Sequence, residues 1–260
     1  MTTNLAIIQM DIAFGNPALN RKHARTQIEE AATHGGEVIL LPEMWTTGYD
    51  LSRFDEIAEE LDGPAHQLMM ELAQQHKVTI AGSIAERDGE DFYNTFVVYN
   101  ESGQRCLKYR KAHLFRLMDE EKFLRSGNQQ GIFQLGDTPV AGVICYDIRF
   151  PEWIRTHMLE GARGLFVTAE WPKPRTEHWR SLLISRAIEN QCFIIACNRV
   201  GADPNNEFGG HSLVIDPWGT VVGEAGEEEE ILIVEVDFSR VEAIREQIPI
   251  FQDRRPDLYK

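Results

Sequence analysis

The stretch Pro139-Val140-Ala141-Gly142-Val143-Ile144-Cys145-Tyr146-Asp147-Ile148-Arg149-Phe150-Pro151-Glu152 decides how this chain is read. Its first six residues are a continuous apolar run, the pattern of a strand covered on both faces. Pro151 and Glu152 then open a helix. Proline's fixed φ suits the first helical turn, and an acid there meets the positive end of the helix dipole. Cys145 therefore stands where a buried strand turns toward a helix. In α/β proteins that is the carboxyl edge of the sheet, where sites form. A nucleophile on such a turn is exposed, with backbone N–H groups after it, starting with Tyr146, that can face a developing oxyanion. A free cysteine is more often a buried apolar filler, so position alone leaves both readings of Cys145 open.

The same alternation runs outward from this stretch. Strands are expected at Leu5–Gln9, Val38–Leu41, Val78–Ala85, Thr95–Tyr99, Gln104–Tyr109, Gly164–Ala169, Cys192–Cys197, His211–Ile215, Thr220–Val222 and Ile231–Val236. Helices are expected from Asn16-Pro17 to about His34, from Pro64, from Pro151 to about Leu159, over Thr176–Asn190 and over Phe238–Gln247. Strands alternating with helices give an α/β protein whose sheets are buried by helices. The hairpin-like runs at 78–109 and 211–236 make those sheets mixed. No repeat of 20–50 residues and no Pro/Gly/Ser-rich linker divides the chain, so residues 1–260 read as a single domain.

Composition narrows the function. Of 260 residues, 43% are hydrophobic and 26% charged, ordinary for a globular chain, and the net charge is −15. Such an acidic chain is expected to bind neither nucleic acid nor an anionic membrane. No apolar run reaches the ~20 residues of a membrane span, and the N-terminus lacks the basic start of a signal peptide. Cys106, Cys145, Cys192 and Cys197 make no disulfide framework and no zinc pattern. A cytoplasmic protein is expected, with no cofactor and no metal. The run Glu227–Glu230 reads as a solvated turn.

Two further positions carry chemistry. Glu43, in Leu40-Leu41-Pro42-Glu43-Met44, puts a carboxylate at the end of another buried strand. Desolvation raises a carboxylate's pKa toward neutrality and suits it to general-base work. In Lys108-Tyr109-Arg110-Lys111-Ala112-His113-Leu114-Phe115, Lys111 is one of three basic residues at the end of a strand. Turned inward, it would lower a thiol pKa and stabilise an oxyanion. Read singly, Glu43 also fits a loop acid and Lys111 a solvated edge. No histidine has metal-ligand spacing.

Together, Leu41-Pro42-Glu43, Tyr109-Arg110-Lys111-x-His113-Leu114-Phe115 and Cys145-Tyr146-Asp147-Ile148-Arg149-Phe150-Pro151-Glu152 resemble, in order and spacing, the Glu–Lys–Cys triad of the nitrilase (carbon–nitrogen hydrolase) superfamily. The resemblance spans essentially the whole chain. It implies a four-layer α-β-β-α sandwich, no cofactor, and subunits paired as a homodimer or assembled further. By that likeness Glu43 is general base, Cys145 nucleophile and Lys111 stabiliser of the tetrahedral intermediate, with the Tyr146 amide on the oxyanion. A second family glutamate falls on Glu120 or Glu121, and counting back from Gly127 favours Glu120.

The segments Ala169–Trp179 and Ala196–Gly201 resemble the ω-amidase branch. This implies hydrolysis of the side-chain amide of 2-oxoglutaramate to 2-oxoglutarate and ammonia. An anionic substrate in so acidic a chain needs a local basic pocket. Arg175, Lys173 and Arg199 are the candidates for its carboxylate, arginine preferred for its bidentate fork. Trp171 and Trp179 either wall the pocket or pack between subunits. Another hydrolase of the superfamily, acting on N-carbamoyl amino acids, carbamoylputrescine or aliphatic amides, would share the triad. A binding protein without catalysis would have no need for all three residues. The tail, about 249–260, has little apolar periodicity of its own and is expected at a subunit interface.

Overall fold

The computed structural model describes residues 2–259. The first half runs β1 (Thr2–Gln9), α1 (Pro17–Thr33), β2 (Val38–Leu40), a single turn α2 (Phe54–Ile57), α3 (Pro64–His76), β3 (Thr79–Asp88), β4 (Asp91–Tyr99), β5 (Arg105–Arg110) and a single turn α4 (Glu120–Phe123). The second half runs β6 (Ile132–Leu135), β7 (Thr138–Ile144), α5 (Pro151–Leu159), β8 (Gly164–Ala169), α6 (Thr176–Asn190), β9 (Phe193–Asn198), β10 (Val200–Ala202), β11 (Glu207–Gly209), β12 (Leu213–Ile215), β13 (Val221–Glu224), β14 (Glu230–Asp237) and α7 (Arg240–Gln247).

These strands form two six-stranded mixed sheets, ordered β14-β1-β2-β3-β4-β5 and β6-β7-β8-β9-β12-β13, beside a small β10–β11 ribbon. From the first strand named, both sheets pair in the same sequence: antiparallel, parallel, parallel, antiparallel, antiparallel. The two halves thus share one topology, which the amino-acid sequence does not betray as a repeat. In each, parallel strands are joined by crossover helices, α1 and α3 in the first and α5 and α6 in the second, as parallel pairing requires.

Side-chain alternation on β1 defines the layers. Leu5 and Ile7 join a cluster with Phe96, Val98, Val140 and Val143, where the sheets face each other. Ala6 and Ile8 point the other way, against Ala24, Ile28 and Ala31 of α1 and Leu68, Met69 and Leu72 of α3. Ile154, Met158, Trp179, Leu183 and Ala187 of α5 and α6 cover the far face of the second sheet. This is the α-β-β-α sandwich, and each fully buried Leu or Ile contributes roughly 1.5–3 kcal/mol.

Helix starts fall where the sequence signals put them. Asn16 caps α1 by accepting from the Leu19 N–H at 3.2 Å, and prolines open α1, α3 and α5. The single turns α2 and α4 and the β10–β11 ribbon were not expected, and two strands of the main sheets depart from expectation. β6 has four residues and a single fully buried side chain, Phe133, so alternation gives it little signal. β4 begins four residues before Thr95, because the Asp88–Asp91 hairpin at Gly89 carries the pairing through polar Asp91, Tyr93 and Asn94.

Gly142 of β7 marks a close approach of the sheets. A Cβ there would lie 2.7 Å from Phe96. Gly142→Ala is expected to lower unfolding free energy by about 1–3 kcal/mol through overpacking, read from the shift in denaturant midpoint.

Candidate active site

The turn after β7 presents Cys145 under strain. Its φ is +41°, a left-handed conformation that costs a residue with a Cβ about 1–3 kcal/mol. Asp147 holds the turn. Its buried carboxylate accepts from the Ile144 N–H (3.0 Å), the His113 N–H (3.0 Å) and the Tyr109 hydroxyl (2.7 Å), and lies 2.8 Å from His113 Nδ1. One side chain so ties the cysteine turn to the end of β5, where Lys111 follows. The Tyr146 N–H opens a tight helical turn, where helical geometry itself supplies no acceptor.

Glu43, Lys111, Glu120 and Cys145 converge in a region closed to solvent. The Lys111 ammonium donates to Glu43 Oε1 (2.9 Å), Glu120 Oε1 (2.6 Å) and the Tyr49 hydroxyl (3.2 Å). Glu43 Oε1 also accepts from Asn94 (2.6 Å) and its Oε2 from the Glu170 backbone N–H (2.8 Å), and the charge of the carboxylate acts on the Cys145 thiol. Glu120 Oε2 accepts from the Phe115 N–H at 2.8 Å. Tyr49 Oη lies 2.5 Å from Glu43 Oε1 and 2.5 Å from Glu120 Oε1. Glu120 is inside the cluster and Glu121 is exposed, which separates the two.

Electrostatics distinguish these groups. Burial would drive Lys111 toward neutrality, but Glu120 and Glu43 outweigh it and its pKa rises. Burial pushes the Cys145 thiol well above its ordinary value, and Glu43 adds to this. Lys111 pulls the thiol pKa down, in the expected direction, but does not prevail over burial and Glu43. The resting nucleophile is therefore a thiol, and its proton must leave as it attacks. Burial also raises Glu120.

The cluster opens onto a pocket lined by Tyr49, Phe115, Met118, Cys145, Tyr146, Arg149, Glu170, Trp171, Pro172 and Arg175. Arg149 lies over the Trp171 ring (4.7 Å to its centre) and Arg175 over Phe115 (5.6 Å). Neither guanidinium has a carboxylate within ion-pair distance among the described residues. Lys173 is not in the pocket; it is part exposed and pairs with Glu227 at 2.9 Å. Arg199 is buried behind it, 2.9 Å from Glu170 and 2.8 Å from Asp11, so its charge is already matched. Trp171 lines the pocket while Trp179 is buried beneath it, their ring centres 5.5 Å apart. Both pack within one chain.

Sequence reading missed Tyr49, Asn94 and Glu170 as members of the site, and Arg149 as a pocket residue. Asn94 fell outside the expected strand. Tyr49 sits on an irregular loop of which no periodicity speaks, and a tyrosine six residues after Glu43 was the one available cue. Among the described residues no group of three His, Cys, Asp or Glu is placed to hold a metal ion, and no helix is long and apolar enough to cross a membrane.

A solvent-closed carboxylate against a thiol, beside an ammonium, can move a proton and balance a developing negative charge. On this sandwich, that set defines a hydrolase of carbon–nitrogen bonds. A carbon–nitrogen hydrolase family model matches residues 4–246, and the chain belongs to that family. It is 51% identical over 260 residues, the full length of both, to the 2-oxoglutaramate amidase of Bacillus subtilis (strain 168). It is 35% identical over 272 residues to the human omega-amidase NIT2, covering 98% of this chain and 96% of that one. Among solved structures, the CN-hydrolase superfamily protein XC1258 of Xanthomonas campestris superposes with a TM-score of 0.92 at 28% identity, covering 98% of each chain.

Glu170 allows a test of this electrostatic picture. Burial, partly offset by Arg199, pushes its carboxyl up to about 8 from an ordinary 4.5. Through that window the folded state keeps a proton that the unfolded chain has released, so stability falls as pH rises. Glu170→Gln is expected to flatten the decline, measured by denaturant unfolding at the two ends of the window. An unchanged slope would show that Glu170 is ionised throughout.

Proposed function

We propose that this chain is an amidase that hydrolyses the side-chain amide of 2-oxoglutaramate through a thioester on Cys145. The observation that carries the substrate is the pair of unmatched guanidiniums, Arg149 and Arg175, at the mouth of the pocket. In a chain of net charge −15 they are a local basic site beside the thiol, and their forks suit the carboxylate of a keto-acid amide. Full-length similarity to the Bacillus subtilis 2-oxoglutaramate amidase supports the same reading.

The chemistry follows from the site. An amide is a poor electrophile, so Glu43 takes the thiol proton as Cys145 Sγ attacks the amide carbon. The oxyanion faces the Tyr146 N–H. Lys111 has its three protons engaged by Glu43, Glu120 and Tyr49, so it contributes its charge rather than a free N–H. Glu43 then passes the proton to the departing nitrogen, the carbon–nitrogen bond breaks, and ammonia leaves. Water attacks the thioester with Glu43 again as base, and the carbon–sulfur bond breaks to release 2-oxoglutarate and restore the thiol. Glu120 fixes Lys111. Trp171 walls the acyl group, and Lys173, paired with Glu227 outside the pocket, takes no part.

Ammonia release from 2-oxoglutaramate checks this. Cys145→Ala is expected to remove turnover, and Glu43→Gln to lower kcat by about 10²–10⁴-fold. Arg149→Met or Arg175→Met should raise KM about tenfold or more, the worth of a charge-assisted hydrogen bond. Turnover of N-carbamoyl amino acids or simple aliphatic amides, with the keto-amide untouched, would keep the mechanism and discard the substrate.

We infer further that the protein pairs with a second copy through its tail. Phe251 is held between Arg155 and Arg245, 5.0 and 4.6 Å from its ring centre, while Leu258 and Tyr259 stand exposed. On the outer side of α6, Ile188 is also exposed, beside the turn at Gly219. Truncation after Arg255 is expected to shift the protein to a smaller species on sizing. An unaltered elution volume would place the interface elsewhere.

A further inference from the structure

The contacts around Tyr49 do not close with the protons that a lysine, a tyrosine and two ionised carboxylates supply. Lys111 has three N–H protons, and Glu43, Glu120 and Tyr49 engage all three. Tyr49 has one O–H proton, yet its oxygen lies 2.5 Å from a carboxylate oxygen on each side. That separation belongs to a charge-assisted O–H···O bond. One proton makes one of the two contacts. The other would set oxygen lone pairs against each other, in a region where neither oxygen reaches water.

We propose that the site holds one further proton, shared along Glu120–Tyr49–Glu43, and that Tyr49 is a positioning residue that keeps this proton on the Glu120 side. The donors fix its place. Glu43 Oε1 already receives Asn94 and Lys111 as well as Tyr49, and Glu43 Oε2 receives the Glu170 N–H. A proton of its own would displace one of these. Glu120 has fewer partners, Lys111, Tyr49 and the Phe115 N–H. The order is then Glu120 O–H donating to Tyr49, and Tyr49 O–H donating to the Glu43 carboxylate.

The consequence bears on the proposed mechanism. Two ionised carboxylates against one ammonium would leave the cluster with a net negative charge, opposing the departure of the thiol proton. With Glu120 neutral, Lys111 and Glu43 balance, and Glu43 alone is the base. The charged and titratable groups facing this proton are Glu43 and Tyr49 from the loop after β2, Lys111 after β5 and Cys145 after β7. Glu170 and its partner Arg199 stand behind Glu43. Burial raises the affinity of Glu120 for a proton, in the same direction.

Infrared spectroscopy of the intact protein at neutral pH tests the proton without any substrate. The expected result, read in a Glu170→Gln background because Glu170 also holds a proton near neutral pH, is a protonated-carboxyl C=O stretch, shifted in heavy water, that disappears on adding Glu120→Gln and persists on adding Glu121→Gln. Absence of that band, or its survival in Glu120→Gln, would overturn the proposal while leaving the amidase reading intact. Tyr49→Phe keeps the ring and removes the bridge. If it folds with an unchanged circular dichroism spectrum, kcat should fall about tenfold or more with KM little altered. The alkaline limb of its pH profile should move down by about one unit. A wild-type kcat and pH profile in Tyr49→Phe would equally overturn it. Should that variant not fold, the infrared comparison decides alone.

Discussion

A lysine ammonium with no access to water, clasped by the carboxyl groups of Glu43 and Glu120, is the interaction around which this molecule is arranged. Removing such ions from water costs several kcal/mol each, and only close, complete pairing offsets it. Lys111 meets that condition with three partners at 2.6, 2.9 and 3.2 Å. Its partners come from the loop after β2 and the turn at α4, and the thiol they serve comes from β7. No local segment assembles this set. It exists only when the two sheets have packed face to face.

The shared topology of the two halves explains how that packing aims the residues. β2 and β8 are corresponding strands, each second in a run of three parallel ones. Glu43 lies just beyond β2 and Glu170 just beyond β8, and they touch: the Glu170 N–H donates to the Glu43 carboxylate. Each acid then finds a buried cation, Lys111 for Glu43 and Arg199 for Glu170. The first of these pairs stands beside a nucleophile and the second braces the wall behind it. The same fold device serves chemistry on one side and support on the other.

Much of this was legible in the sequence, and the physical reason is periodicity. Buried strands such as Val38–Leu40, Pro139–Ile144 and Gly164–Ala169 announce themselves as apolar runs. Their ends, with Glu43 and Cys145, follow directly. Lys111 was legible because a basic cluster at a strand end is conspicuous in an acidic chain. Tyr49, Asn94 and Arg149 were not, since each acquires its place from contacts distant in sequence. Asn94 approaches Glu43 across 51 residues and Tyr49 reaches Glu120 across 71. Arg199 shows the converse. Its chemistry suggested a ligand-binding group, and only the structure reveals that Glu170 and Asp11 already match it.

The pairing of β14 with β1 matches Thr2 to Asp237 and Gln9 to Glu230 across the edge of the first sheet. During synthesis β1 leaves the ribosome long before its partner β14. Until then the nascent chain carries an unpaired strand edge, with Ile7 and Ile8 along it, the kind of surface that recruits other chains. Contacts of such long sequence separation also slow folding, because loop closure precedes their reward. This enzyme's vulnerable period is therefore the interval between the synthesis of β1 and that of β14, while one edge of β1 waits for its partner.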